Sequence, residues 1–157
     1  MKEKEDVKIQ GFVRLVVKDK DGNVIQDTGF KKNVITNGAL AVFSGLVGNT
    51  GAQTAFTYLA LGTDSTVAAA SQTALGAEIV DTGLARHAAT VTRSTTTQTN
   101  DTLQLDWTWT ATGSKTVVEI GMFNASSSGV MAARKLTGAL SVVNTNTLAA
   151  TYKIVFS

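Results

Sequence analysis

The stretch Leu103-Gln104-Leu105-Asp106-Trp107-Thr108-Trp109-Thr110 alternates apolar and polar residues without a break. Such a period of two specifies a strand with one buried face. Leu103, Leu105, Trp107 and Trp109 share the inward face; Gln104, Asp106, Thr108 and Thr110 share the outward one. Both tryptophans of the chain lie inward, so the main core is expected to form around this strand. A second apolar strand follows over 116–123. A loop of small polar residues, 124–129, leads to a third over 130–136. The three read as consecutive antiparallel strands, with the rest of the chain covering their apolar face.

Composition agrees with a sheet protein. The chain is rich in threonine, a β-branched residue that favours strands. It has no proline, so its turns must be made by Gly, Asn, Asp and Ser. It has no cysteine, which excludes disulfides and thiolate metal sites. At 157 residues it fits one domain whose core needs no staple. Further strands are expected over 11–17, 24–30, 56–62, 76–80, 85–97, 137–143 and 147–156. In the last, Tyr152, Ile154 and Phe156 share a face. One helix is expected near residues 38–47, capped by Thr36 or Asn37, with Leu40, Phe43 and Val47 on one face. Short strands separated by turn signals predict a mainly β fold: an antiparallel β-sandwich or jelly-roll-like domain with that single short helix. The whole chain, 1–157, is read as one domain. A charged N-terminal arm (1–8) and an N-terminal hairpin (11–30) look separate from the core strands and are candidates for contacting a neighbour.

Charge and hydropathy remove several functions. The formal net charge is +2 and charged residues make up 17% of the chain, too weak a basic bias for a nucleic-acid partner. No apolar run approaches the roughly 18 residues of a membrane span, so no membrane partner is expected. The start, Met1-Lys2-Glu3-Lys4-Glu5-Asp6, lacks the apolar run of a signal peptide.

The inventory for chemistry is thin. The single histidine, His87, lies mid-strand among alanines, and no Gly-x-Ser-x-Gly elbow occurs. One histidine without cysteine does not make a zinc centre. Asp19-x-Asp21-Gly22 resembles the start of a calcium loop, but the twelfth position is Phe30 instead of an acid. The glycine-rich start of the helix lacks the Lys-Ser/Thr of a phosphate loop. Asp106, Glu119 and Glu78 are the carboxylates available for paired acid–base work, and none has an evident partner for it. The expectation is a non-enzyme without catalytic, metal or cofactor residues.

One charged pair follows from register. If 124–129 closes a hairpin, Phe123 meets Val130, Met122 meets Met131, and Glu119 lies directly opposite Arg134. The pair is then expected within salt-bridge distance. Glu78 and Arg86 flank a glycine loop and are expected to pair in the same way.

The order of short motifs carries a resemblance. Val34-Ile35-Thr36-Asn37-Gly38 opens the helix, and Tyr58-Leu59-Ala60-Leu61-Gly62-Thr63 follows a polar loop. Ala74-Leu75-Gly76-Ala77-Glu78-Ile79, an arginine-bearing strand and Thr99-Asn100-Asp101 come next. Glu119-Ile120-Gly121-Met122-Phe123-Asn124 and Gly129-Val130-Met131-Ala132-Ala133-Arg134 complete the series. Over residues 34–156 this order resembles small virion structural proteins of tailed bacteriophages. The resemblance implies a head decoration (cement) protein, assembled in the host cytoplasm onto the outer surface of the phage head. The implied partners are the major capsid protein and copies of itself, as a homotrimer. The alternative it also allows is a tail-tip or tail-fibre component that binds a receptor or neighbouring tail proteins. Arg14, Lys18, Lys20, Lys31 and Lys32 are the candidate contacts to an acidic capsid surface.

Overall fold

The computed structural model describes residues 6–157; residues 1–5 of the charged arm lie outside the described residues. Eleven strands and one helix succeed one another among the described residues: β1 (Ile9–Lys18), β2 (Val24–Asp27), β3 (Lys31–Lys32), β4 (Val34–Ile35), α1 (Asn37–Gly48), β5 (Tyr58–Gly62), β6 (His87–Ala88), β7 (Thr90–Ser94), β8 (Thr102–Thr110), β9 (Lys115–Phe123), β10 (Met131–Val142) and β11 (Thr147–Phe156). They form two antiparallel sheets packed as a β-sandwich. Sheet A runs β2-β1-β11-β8-β7, with β3 also on β1; sheet B runs β4-β10-β9-β5-β6.

The core is made by alternation from both sheets. Val13, Leu15 and Val17 of β1, Leu105 and Trp109 of β8, and Leu148, Tyr152 and Ile154 of β11 point inward from sheet A. Leu59, Leu61, Val117, Ile120, Met122 and Val142 meet them from sheet B. The Trp strand therefore lines the core with Leu105 and Trp109, but its neighbours differ from the sequence reading. β8 pairs with β11 and β7, whereas β9 pairs with β5 and β10. The chain crosses between sheets after Thr110, so 102–136 is not one three-stranded unit. Leu105 and Trp109 are buried; Leu103 and Trp107 are half-buried, because β8 lies next to the edge strand β7.

Several expected elements are redrawn. The long strand over 85–97 is cut at Ala89: β6 belongs to sheet B and β7 to sheet A. The strand over 76–80 is reduced to a single bridge between Gly62 and Glu78. Residues 130–136 and 137–143 merge into β10, which absorbs a bulge between Leu136 and Leu140, where Gly138 takes φ +77°. Thr36 caps α1 by accepting the Ala39 N–H at 3.2 Å. The helix buries Ala39, Val42 and Gly45, while Leu40 and Val47 are exposed. Its expected inward face is thus rotated: the small residues fit closest to the sheets.

The N-terminal hairpin is not separate. β1 pairs with β11 over ten residues, from Ile9↔Phe156 to Lys18↔Thr147, and sits inside sheet A. Gln26 of β2 adds a tie to the other sheet by donating to Ser141 O at 2.7 Å and accepting its N–H at 3.2 Å.

Leu15→Ala should therefore cost about 2–5 kcal/mol, the range for emptying a closed core site. Leu40→Ala, on the exposed side of α1, should change stability by less than about 0.5 kcal/mol. Urea unfolding of both variants checks the two placements; equal losses would contradict them.

Candidate interaction surfaces

The outer face of sheet B is covered by the chain itself. Tyr58, Ala60, Phe123 and Met131 point outward there and are capped by Leu75 from the long loop after β5. Within this second layer, Arg134 donates to Glu119 at 2.6 Å, and both side chains are fully buried. The pair is closer to the core than any solvated hairpin pair, and its register differs from the direct opposition expected. Arg134 faces Gly121, and Glu119 faces Leu136, because the hairpin starts with Phe123 opposite Met131 instead of Val130 and Ala132 then inserts a bulge into β10. Arg134 reaches Glu119 diagonally across the sheet. Gly62 lies opposite Glu119 on the other side, where a Cβ would collide with the carboxylate.

The ion pair also fastens the loop above it. Glu119 accepts backbone N–H groups of Asp64 (3.3 Å), Gly76 (3.2 Å) and Ala77 (3.0 Å). Arg134 donates to Thr66 O (2.7 Å) and to Gln72 Oε1 (3.0 Å). Two strand side chains thus satisfy donors and acceptors along some fourteen loop residues, which have little secondary structure of their own.

Arg86 builds a second fastening on the same side. It forms a forked pair with Glu78 (2.9 and 2.6 Å), as the sequence suggested. Its Nη1 donates to Ala125 O (3.0 Å) and Ser128 O (2.8 Å), and its Cζ stands 3.7 Å above the Phe123 ring. The 124–129 loop is held by this guanidinium, with Asn124 Oδ1 accepting the Val130 N–H. Neither carboxylate is placed for acid–base work: both are engaged by arginine. His87 is exposed and stacks flat on Trp107, with ring centroids 3.6 Å apart and planes 8° apart. Its Nδ1 contacts Ala88 O, and no nucleophile stands against it among its described contacts.

The outer face of sheet A is bare by comparison. Its ladder brings Arg14, Lys18, Lys32 and Lys153 onto one surface with threonines of β7, β8 and β11. Asp27 pairs with Arg14 at 2.5 Å and also accepts the Gly29 N–H, so its carboxyl is held down to about 2, chiefly by the Arg14 hydrogen bond. Lys20 turns aside to Asp21 in the β1–β2 turn. There Asp19 accepts the Asp21 and Asn23 N–H groups, which closes the turn as an ordinary Asx turn. Lys18, Lys31 and Lys32 are exposed and make no ion pair among the described residues. Lys153 lies 5.1 Å over the exposed Phe30 ring, and Phe12, Phe30, Lys153, Val155 and Thr96 line a shallow cavity of about 240 Å³.

Of the five candidate contact cations, the structure places Arg14, Lys18 and Lys32 on one face, turns Lys31 off that face, opposite the inward-facing Val13, and engages Lys20 elsewhere. Lys153, Phe12 and Phe30, which the sequence did not single out, join that face. The alternation that set Tyr152 and Ile154 inward already placed Lys153 outward, but only the β1–β11 ladder brings it beside Phe12. Comparison with protein-family models, with curated proteins and with solved structures finds no match to this chain.

Arg134→Met should cost about 3–5 kcal/mol, since Glu119 is left buried without its cation. Hydrogen exchange should quicken at the Asp64, Gly76 and Ala77 amides; unchanged exchange there would separate the pair from loop fastening. For Asp27, the folded pKa lies below its ordinary value of 3.8. Its stabilising effect is complete above about pH 4 and is lost as pH falls through about 2. Carboxyl NMR should show Asp27 titrating near 2, and near the ordinary value in Arg14→Ala.

Proposed function

We propose that this chain is a virion structural protein, a capsid decoration (cement) protein that binds the outer surface of a phage head and stabilises the shell through protein–protein contacts. The observation that carries the choice of surface is the asymmetry of the sandwich. Its sheet B side is covered by the chain's own loops, while the sheet A side is an open, rigid, cationic face. Residues 34–156 supply the phage resemblance; β1, β3 and β11 supply the lysines, and Phe12 of β1 with Phe30 between β2 and β3 supplies the aromatics. Such a face suits an acidic protein surface: charge guides the approach and the Phe12–Phe30 cavity offers apolar area to bury. A sheet face of this kind acts by binding alone and uses no cofactor. Its partners are the major capsid protein and further copies of the chain.

A tail-tip or tail-fibre role is the second reading. It is favoured by Phe30, an exposed aromatic at the mouth of the same cavity. Copies per particle separate the two: many copies spread over the head support decoration, and a handful at the tail supports the alternative.

Lys18→Glu, Lys32→Glu and Lys153→Glu combined should lower occupancy on undecorated heads roughly tenfold or more, at about 0.2–1 kcal/mol for removing each rim charge and a similar amount for reversing it. Raising salt should weaken wild-type binding and the triple variant less. Because β1 is a core strand, point changes test this surface, whereas removing residues 1–30 would unfold the chain. Occupancy equal to wild type would discard this face as the capsid contact.

A further inference from the structure

The last strand of sheet A has an open edge. β7 pairs with β8 on one side and with nothing on the other among the described residues, and Thr90 to Arg93 are all exposed. Alternate residues of such a strand leave their N–H and C=O groups unpaired, which makes a template for another strand. The edge is also held ready. The β7–β8 turn is closed by the Asp101 carboxylate, which accepts the N–H groups of Thr96, Thr97 and Gln98 at 2.7–2.8 Å.

Beside that edge the sandwich is open and apolar. Phe43, Leu46, Val47, Phe56, Val91 and Phe156 line a cavity of about 270 Å³ between α1 and the end of sheet A. No charged residue lines it. Val47 is 91% exposed and Val91 43% exposed. Val91 shares its face with Leu103 and Leu105 through the β7–β8 ladder, so this is core face left uncovered.

We propose that a second copy of this chain covers both features, by antiparallel pairing of β7 with β7 about a two-fold axis at Thr92. The other sheet edges are poor partners. β4 and β6 are two residues long. β2 is interrupted by a bulge and tied through Gln26 to Ser141. β7 is self-complementary in charge. In this register Thr92 meets its own copy, and Arg93 meets Val91 of the second copy, so the one cation of the strand never faces itself. Its aliphatic stem is instead laid along Val91, extending the cover over the apolar opening. An isologous contact of this kind closes on itself and leaves no free edge. It goes beyond the capsid-binding surface proposed above, and its failure would leave that surface untouched. It also gives pairs of chains, unlike the three-fold assembly that the phage resemblance implies.

The chain has no cysteine, so single-cysteine variants test the register directly. Opposed residues of an antiparallel pair have Cα atoms about 4.5–5.5 Å apart, within disulfide range. Thr92→Cys should therefore crosslink to a dimer under mild oxidation much faster than Thr108→Cys, which is exposed mid-sheet on β8. Sedimentation of the wild type should give twice the 16.4 kDa chain mass at micromolar concentration. Thr92→Arg, which sets like charges against each other at the axis, and Val47→Lys, in the opening, should each weaken self-association about tenfold or more. Both positions are exposed, and circular dichroism confirms that the variants fold. A wild type that stays monomeric, a trimer, crosslinking of Thr92→Cys no faster than the control, or self-association unmoved by either variant would each overturn the proposal.

Discussion

The buried contact between Glu119 and Arg134 decides what one side of this molecule looks like. Removing two charges from water is expensive, and attraction between them offsets that cost better the more of their remaining hydrogen-bonding groups are occupied. Here the loop after β5 supplies most of those partners, from backbone groups of Asp64, Thr66, Gly76 and Ala77 and from the Gln72 side chain, and leaves Arg134 Nη2 buried without one. The dependence is mutual: the loop excludes water from the pair, and the pair gives an irregular segment the fixed partners that a strand would have given it. Gly62 belongs to the same arrangement, since any side chain there would occupy the space of the carboxylate. Arg86 repeats the device with Glu78 and the 124–129 loop. Loops that would otherwise be mobile are thus made part of the solid.

This leaves the two outer faces with different physical characters. The sheet B side has spent its polar groups on its own loops. The sheet A side keeps lysines without carboxylate partners and threonine hydroxyls in a regular ladder. Its internal pair, Arg14 with Asp27, lies in solvent and contributes little to stability. A face of this kind is useful mainly for what it can meet, and the proposed capsid contact uses it so. The β7 edge is a third kind of surface: backbone groups without partners beside uncovered core.

The sandwich class was legible because alternation is dictated by the pleat. Val13, Leu15 and Val17 of β1 and Leu105 and Trp109 of β8 obeyed it. Which strand pairs with which was not legible, because that is settled by long-range packing that no local period encodes. The Trp strand and its successor look like a hairpin, yet the chain changes sheet between them. The ion pair was legible as a pair but not as a geometry. A hairpin loop one residue longer than expected, which sets Phe123 opposite Met131, and the Ala132 bulge together make it diagonal, and only the covering loop makes it buried. The helix was found and its face was not: Leu40, Phe43 and Val47 have the right spacing, but Ala39 and Gly45 allow closer approach to the sheets. Lys153 shows the remaining limit, since its neighbourhood exists only once the two ends of the chain are side by side.

That juxtaposition of ends has a consequence in time. β1 carries the buried Val13, Leu15 and Val17, and nine strands, β2 to β10, separate it in sequence from its long partner β11. Closing so long a loop is slow, and it must precede any reward from the contacts that follow. During synthesis β1 waits for all nine of those strands to emerge before β11 does, with its inward valines and leucine exposed to water and to neighbouring chains. Sheet A is then completed only after the strands of sheet B have been made.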